Sequence, residues 1–286
     1  MSRLLHLKNI DSLTDGYRGV LELSSYFNPL ARNELHDLAP AGNGEPILVM
    51  PGFGGGDSST ILLRRYLKDR GYKPYGWNYH VNLGPNQKTI DHIDQRLDQI
   101  HHENNGQKVA LIGHSLGGVY ARIWANKTPE QVSRVITLGS PVNHTDETST
   151  LPIVRHVFQR LNPDIDIDEL SAMCKVSPDI PTTSIYTRYD GVVHWRTSID
   201  DDIPENARAD YVEVSNSGKG ARNLFNVYKR SSHVGLGVAN PVAFFVVADR
   251  MAQDPENWRP FSPDRHPAVR PYFPDVPTHL QAGLRI

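Results

Sequence analysis

An α/β fold, with a mostly parallel central sheet and helices on both faces, is what this chain predicts. Three observations carry the prediction. Between residues 45 and 141, short unbroken apolar runs alternate with amphipathic stretches. The apolar runs are rich in Val, Ile and Leu, as strands buried on both faces require. The amphipathic stretches begin near Ser, Thr or Asp and stop at Gly, the punctuation of helices. Such alternation implies parallel strands joined by helical crossovers.

The elements follow in order. "PILVM" (46–50) runs into a glycine-rich loop and reads as a buried strand. "DSSTILLRRYLKDRG" is a helix stopped by Gly71, and "KPYGWNY" a second strand. "TIDHIDQRLDQIHHENNG" sets Ile90, Ile93, Leu97 and Ile100 on one helical face. "KVALIG" (108–113), "LGGVYARIWANKT" and "VSRVITLGSP" (132–141) add strand, helix and strand. Residues 142–181 interrupt the pattern as an insert, the place for a cap or lid. Within it "PIVRHVFQRL" is an amphipathic helix that either covers a cleft or packs on the sheet, and Pro152 suits its first turn. "TTSIYT" (182–187) and "DYVEVS" (210–215) read as late strands and "NPVAFFVVADRMAQ" (240–253) as a terminal helix. Seven prolines within 254–286 mark a tail, expected on the surface or against a partner subunit and so a route to a homo-oligomer. A single domain over 1–286, with its core at about 45–253, is expected.

Composition narrows the function. Thirty Lys plus Arg stand against 32 Asp plus Glu, a net charge of -2, so nothing predicts nucleic acid as a partner. The lone cysteine, Cys174, excludes an intramolecular disulfide and suits a reducing compartment. The opening residues lack the apolar run of a signal peptide, and "VAFFVVA" (242–248) is too short to span a bilayer. A cytoplasmic protein without a transmembrane segment is therefore expected. "PDIDIDE" (163–169) lacks the spaced ligands and central glycine of a calcium loop and reads as a helix N-terminus; no metal site is expected.

The chemistry-bearing motif is Gly113-His114-Ser115-Leu116-Gly117, a G-x-S-x-G pattern between a predicted strand and a predicted helix. A sharp strand-to-helix turn lifts the Ser115 Oγ clear of the sheet, and the flanking glycines remove Cβ atoms that would clash. The helix that follows aims its N-terminal N–H groups at developing negative charge. His114 is adjacent to the serine and points away across the turn, so it is not the expected base. "GHSLGGVYAR" resembles the elbow of bacterial lipases, and from about Glu45 to about Asp249 the chain resembles the α/β-hydrolase-fold serine esterases and lipases.

That resemblance implies the remaining roles. The oxyanion donors are the N–H groups of Leu116 and Phe53, with Gly52 allowing close substrate approach; where the family often carries His-Gly-x, this chain has Pro51-Gly52-Phe53. A phosphate-loop reading of "GFGGGD" fails because Asp57 stands where the third glycine belongs. The partners follow in the order Ser, acid, His. Asp190, after a late strand and before Gly191, is the implied acid. His233 in "SHVGLG" is the implied base, ahead of His266 in the tail and of His194, which shares the Asp190 loop. His114, His194 and Trp195 are then expected around the substrate. The loop "NSGKGARNLFNVYKRS" before His233 is longer than usual and reads either as a flap over the pocket or as an exposed Gly/Ser loop with a short helix at "ARNLFNVY". The expected activity is cofactor-free hydrolysis of a small-molecule or lipid carboxylic ester through an acyl-enzyme. The alternatives are an acyltransferase or thioesterase with the same triad, and a non-catalytic scaffold used for binding.

Overall fold

The computed structural model describes residues 14–23, 35–143, 159–163, 166–200, 208–214 and 230–273. Six strands form one sheet: β1 Pro46–Met50, β2 Lys73–Gly76, β3 Val109–His114, β4 Val132–Leu138, β5 Thr182–Tyr186 and β6 Ala209–Glu213. Their order is β2-β1-β3-β4-β5-β6, and every neighbouring pair is parallel. The helices are α1 (14–23), α2 Ile61–Asp69, α3 Gln87–Glu103, α4 Leu116–Lys127, α5 Ile167–Lys175, α6 His233–Val238 and α7 Pro241–Met251.

Period-two alternation along the strands divides the core into two layers. Ile47 and Val49 of β1, with Ala110 and Ile112 of β3, face a cluster built with Leu62, Leu63 and Leu67 of α2 and the wholly buried α7. Leu48 and Met50, with Val109 and Leu111, face the opposite cluster, which holds Ile93, Leu97 and Ile100 of α3 and Val119, Tyr120 and Ile123 of α4. Local chemistry sets the helix ends. The Asn86 side chain accepts from the Thr89 N–H to open α3, and Asn240 accepts from Val242 and Ala243 N–H ahead of Pro241 to open α7.

Strand order determines where a site can form. The chain runs outward from β1 to β2, then returns to place β3 on the other side of β1. The loops after β1 and β3 therefore leave the carboxyl ends of the strands at the point where strand order reverses, the usual ligand position in an open parallel sheet.

The described end of the 142–181 insert packs on α4: Arg122 is fully buried and donates to the Cys174 carbonyl at 2.9 Å while pairing with Asp200 at 2.9 Å. Asp166 accepts from the Glu169 N–H at 3.0 Å and so opens α5, as the acidic stretch predicts. Of the amphipathic helix expected at 152–161, only 159–161 is described, and it is helical. Residues 216–229 of the long loop before His233 also lie outside the described residues. Residues 254–273 of the tail are described, and most of them lie at the surface, but the segment is folded into turns where an extended one was expected. Its prolines open short 3-10 turns at Pro255–Asn257, Pro263–Arg265 and Arg270–Tyr272, and the last of these, with Val269 before it and Phe273 after it, places Val269, Tyr272 and Phe273 in the α7 core. His266 Nε2 meets Asp249 Oδ1 at 2.7 Å, tying the tail to α7. Among the described residues no helix is long and apolar enough to cross a membrane.

Candidate active site

Ser115 is the only residue between β3 and α4, so the chain reverses there without a loop. Its backbone takes φ 53 and ψ -121, a conformation costing a non-glycine residue on the order of 1–3 kcal/mol. The turn is held by the Ser115 N–H donating to the Leu138 carbonyl at 2.9 Å and by Gly118 N–H donating back to the Ser115 carbonyl at 3.0 Å. The flanking glycines are required: a Cβ on Gly113 would run into the Gly117 backbone, and one on Gly117 into the Met50 carbonyl. Leu116 opens α4, where an N–H has no partner within the helix.

The loop after β1 closes on this turn. A Cβ at Gly52 would lie 3.0 Å from Ser115 Cβ, so the chain there passes as close to the serine as a glycine allows. Asn82, buried among these loops, holds its shape. Its side-chain amide donates to the Pro51 carbonyl at 2.8 Å, and its oxygen accepts from Tyr120 Oη and Gly84 N–H, each at 3.2 Å. The backbone adds two 2.7 Å bonds, Gly54 N–H to Asn82 O and Asn82 N–H to Gly55 O. Phe53 thus sits in a braced loop beside Ser115.

Asp190 follows β5, and His233 opens α6, beyond β6. Their side chains meet, His233 Nδ1 to Asp190 Oδ2 at 2.7 Å, with both nearly inaccessible to solvent. The other carboxylate oxygen accepts from Val192 N–H at 2.8 Å and Val193 N–H at 2.7 Å, so the acid is held from both sides. Gly139, next to the carbonyl that anchors Ser115, leaves the space: a Cβ there would stand 3.1 Å from Asp190 Oδ2 and 3.2 Å from His233 Nδ1. Burial alone would depress the His233 pKa. The Asp190 charge and hydrogen bond, with the Asp15 charge beyond, outweigh it and raise the pKa above the ordinary histidine value.

His114 lies against His233, with ring centroids 4.8 Å apart and its Nε2 2.9 Å from the His233 carbonyl. Burial, then the His233 charge, push its pKa down to about 3, so the ring is neutral and its Nε2–H donates to that carbonyl. This placement makes it a brace behind the His233 backbone. His194 caps a 3-10 turn at Trp195–Ser198, its carbonyl accepting from Thr197, and its ring stacks on Trp195. Trp195 in turn stacks on Tyr186 and meets the Arg188 and Arg196 guanidiniums at 5.0 and 5.3 Å. The Asp190 carboxylate is engaged by His233 and its own loop.

Sequence reasoning missed Asn82 and the buried polar face of α1, whose Asp15, Arg18 and Glu22 reach the loops of Asp190 and His233. The polar i, i+3, i+7 spacing of those three was the available signal, and it reads as a solvated helix face unless the contact partners are known.

A family model described as alpha/beta hydrolase fold matches residues 46–194. No curated protein matches the chain. One similar solved structure comes from work on LipS and LipT, two metagenome-derived lipolytic enzymes. It is 14% identical, with a TM-score of 0.50 over 74% of this chain and 93% of that one. An alpha/beta superfamily hydrolase from Oenococcus oeni PSU-1 is 16% identical, with a TM-score of 0.48 over 74% and 94%. At these identities the likeness concerns the fold alone.

Proposed function

The chain belongs to the alpha/beta hydrolase fold family, and on that premise we propose that it is a serine carboxylic-ester hydrolase working through Ser115, His233 and Asp190. The observation that carries the reading is the 2.7 Å His233 Nδ1–Asp190 Oδ2 contact, formed beside a strained serine elbow. With Nδ1 committed to the acid, Nε2 is the ring atom left for the serine proton. Asp190 fixes that tautomer and stabilises the imidazolium formed during the reaction.

In the first half-reaction Ser115 Oγ attacks the ester carbonyl carbon as its proton passes to His233 Nε2. The carbonyl electrons move to oxygen, and the oxyanion is held by the N–H groups of Leu116 and Phe53, each worth about 3–4 kcal/mol of barrier lowering. Collapse breaks the bond to the alcohol, which leaves with the His233 proton and gives an acyl-Ser115. Water then attacks the acyl carbon, losing its proton to His233, and the acid departs as the proton returns to Ser115 Oγ. The chemistry calls on no cofactor. The substrate in this reading is an ester with an apolar acyl group. Exposed Val81 and Leu83 flank Asn82, whose side chain bonds the loop after β1, and Asn162, next to exposed Leu161, donates to the Leu83 carbonyl at 2.7 Å.

Histidine variants assayed on p-nitrophenyl esters test the assignment. His233→Ala is expected to lower kcat by about 10⁴-fold or more, and His194→Ala by less than about tenfold. The reverse ranking overturns it. Because the base must be neutral, wild-type kcat/KM is expected to rise with pH through an apparent pKa above about 6.5. His114 adds no limb to that profile, being neutral well below it.

A further inference from the structure

Helix α1 lies outside the region that the family model matches, yet it joins the two loops that carry the acid and the base. Asp15 Oδ2 accepts from the Gly191 N–H and from the His233 N–H, both at 2.9 Å, and Oδ1 accepts from the Val234 N–H at 3.3 Å. One carboxylate therefore bridges the residue after Asp190 and His233 itself. One turn along, Arg18 repeats the bridge with carbonyls. It donates through Nη2 to Tyr189 O at 2.8 Å and through Nη1 to Ser231 O at 3.0 Å, and pairs with Asp15 at 3.4 Å. A turn further, Glu22 accepts from Ser232 N–H at 3.1 Å, from Ser232 Oγ and from Asn240 Nδ2 at 2.9 Å.

Asp15, Arg18 and Glu22 share one helix face and are 2%, 1% and 2% exposed. Desolvating three ionisable groups costs several kcal/mol each, and apolar side chains would dock a helix with no such penalty. What the charged groups supply, and apolar ones do not, is directional bonds to named backbone atoms on two separate loops.

We propose that Asp15 and Arg18 are positioning residues that hold the Asp190 loop and the His233 loop in register, so that His233 Nδ1 stays on Asp190. The proposal rests on the Ser115–His233–Asp190 reading. Among the described residues, three charged or titratable groups face His233: Asp190 from the β5 loop, His114 from the end of β3, and Asp15 from α1. Arg18 and Glu22 stand behind, on Asp15 and Ser232. Asp15 adds negative charge beside His233, so removing it favours the neutral ring.

The test is Asp15→Asn, which keeps the size and one acceptor oxygen but removes the charge and sets an amide NH2 against backbone donors. The expected result is a kcat on p-nitrophenyl butyrate lower by about 10²-fold with KM within about threefold, as misalignment rather than lost binding produces. The acid limb of kcat/KM is expected to move to lower pH. ¹⁵N-histidine NMR titration of His233 reads the same downward shift without turnover. If the wild type hydrolyses no ester but that shift appears, the esterase reading fails and the positioning role stands. A folded Asp15→Asn with wild-type kcat, acid limb and His233 titration, and only a lower Tm, overturns the proposal. Should that variant not fold, Arg18→Lys decides. It keeps the charge but replaces the planar fork, whose two Nη atoms each hold one carbonyl, with a single point-like ammonium, so kcat is expected to fall by about tenfold or more. Wild-type kcat in folded Arg18→Lys overturns the proposal equally.

Discussion

His114 and His233 stand 4.8 Å apart and are driven in opposite directions. Burial acts downward on both. For His114, Asp190 is too small an influence to offset it, and the pKa falls to about 3. For His233 the bonded Asp190 and the nearby Asp15 prevail, and the pKa rises. A ring that never charges beside one that charges readily is the arrangement a single general base requires. Glu22 adds a residue-level signature of α1 docking. Burial, only partly offset by its bonds to Ser232 and Asn240, lifts its pKa to about 7 from 4.5. A carboxyl whose pKa is raised by folding binds more protons in the folded state. Its contribution to stability is thus fully present below about pH 4.5 and is lost as pH rises through about 7. Glu22→Gln, fixed in the neutral form, is expected to gain on the wild type across that window, by up to about 3 kcal/mol. Urea unfolding of both proteins at pH 4.5 and pH 8 checks this, and a stability difference that does not change with pH contradicts it.

Among the elements, the loop after β1 and the loop around Asn82 act as one unit, since four bonds of Asn82 tie them to each other and to α4, and a fifth, from Gly84, shapes the Asn82 loop itself. If this unit holds an oxyanion donor, loosening it harms the transition state more than the ground state. Asn82→Ala leaves the Pro51 carbonyl and the Tyr120 hydroxyl without their partner and is expected to lower kcat by about 10- to 10²-fold with little change in KM. A fall in stability of about 1–3 kcal/mol accompanies it. Steady-state kinetics with urea titration separate the two effects, and an unchanged kcat removes the loop from the mechanism. The elements also explain what could be read beforehand. Strand β1 is an unbroken apolar run, and β3 and β4 are rich in Val, Ile and Leu, because both faces are buried, so local composition marks them within a residue or two. The turns at Ser115 and Asp190 were legible for the same reason, each depending on neighbours in sequence. Helix α1 was not, because its bonds reach Gly191 and Val234 across 176 and 219 positions. No local periodicity encodes partners that distant.

For the molecule as a whole, parallel topology puts the loops after β1, β3, β5 and β6 at one end, around the switch point between β1 and β3. Helix α1 closes around that end from the N-terminal side. Over 254–273 the proline-rich tail lies mostly at the surface, as its composition argues, but it is turned rather than extended, and its last 3-10 turn brings Val269, Tyr272 and Phe273 inward. The central claim, that this scaffold activates Ser115 for attack on an ester, is tested most directly by a fluorophosphonate probe with peptide mass spectrometry of the adduct. One adduct is expected, on Ser115, formed by native protein and abolished by heat denaturation or by His233→Ala. Native protein that stays unlabelled, or that labels elsewhere with Ser115 untouched, contradicts it.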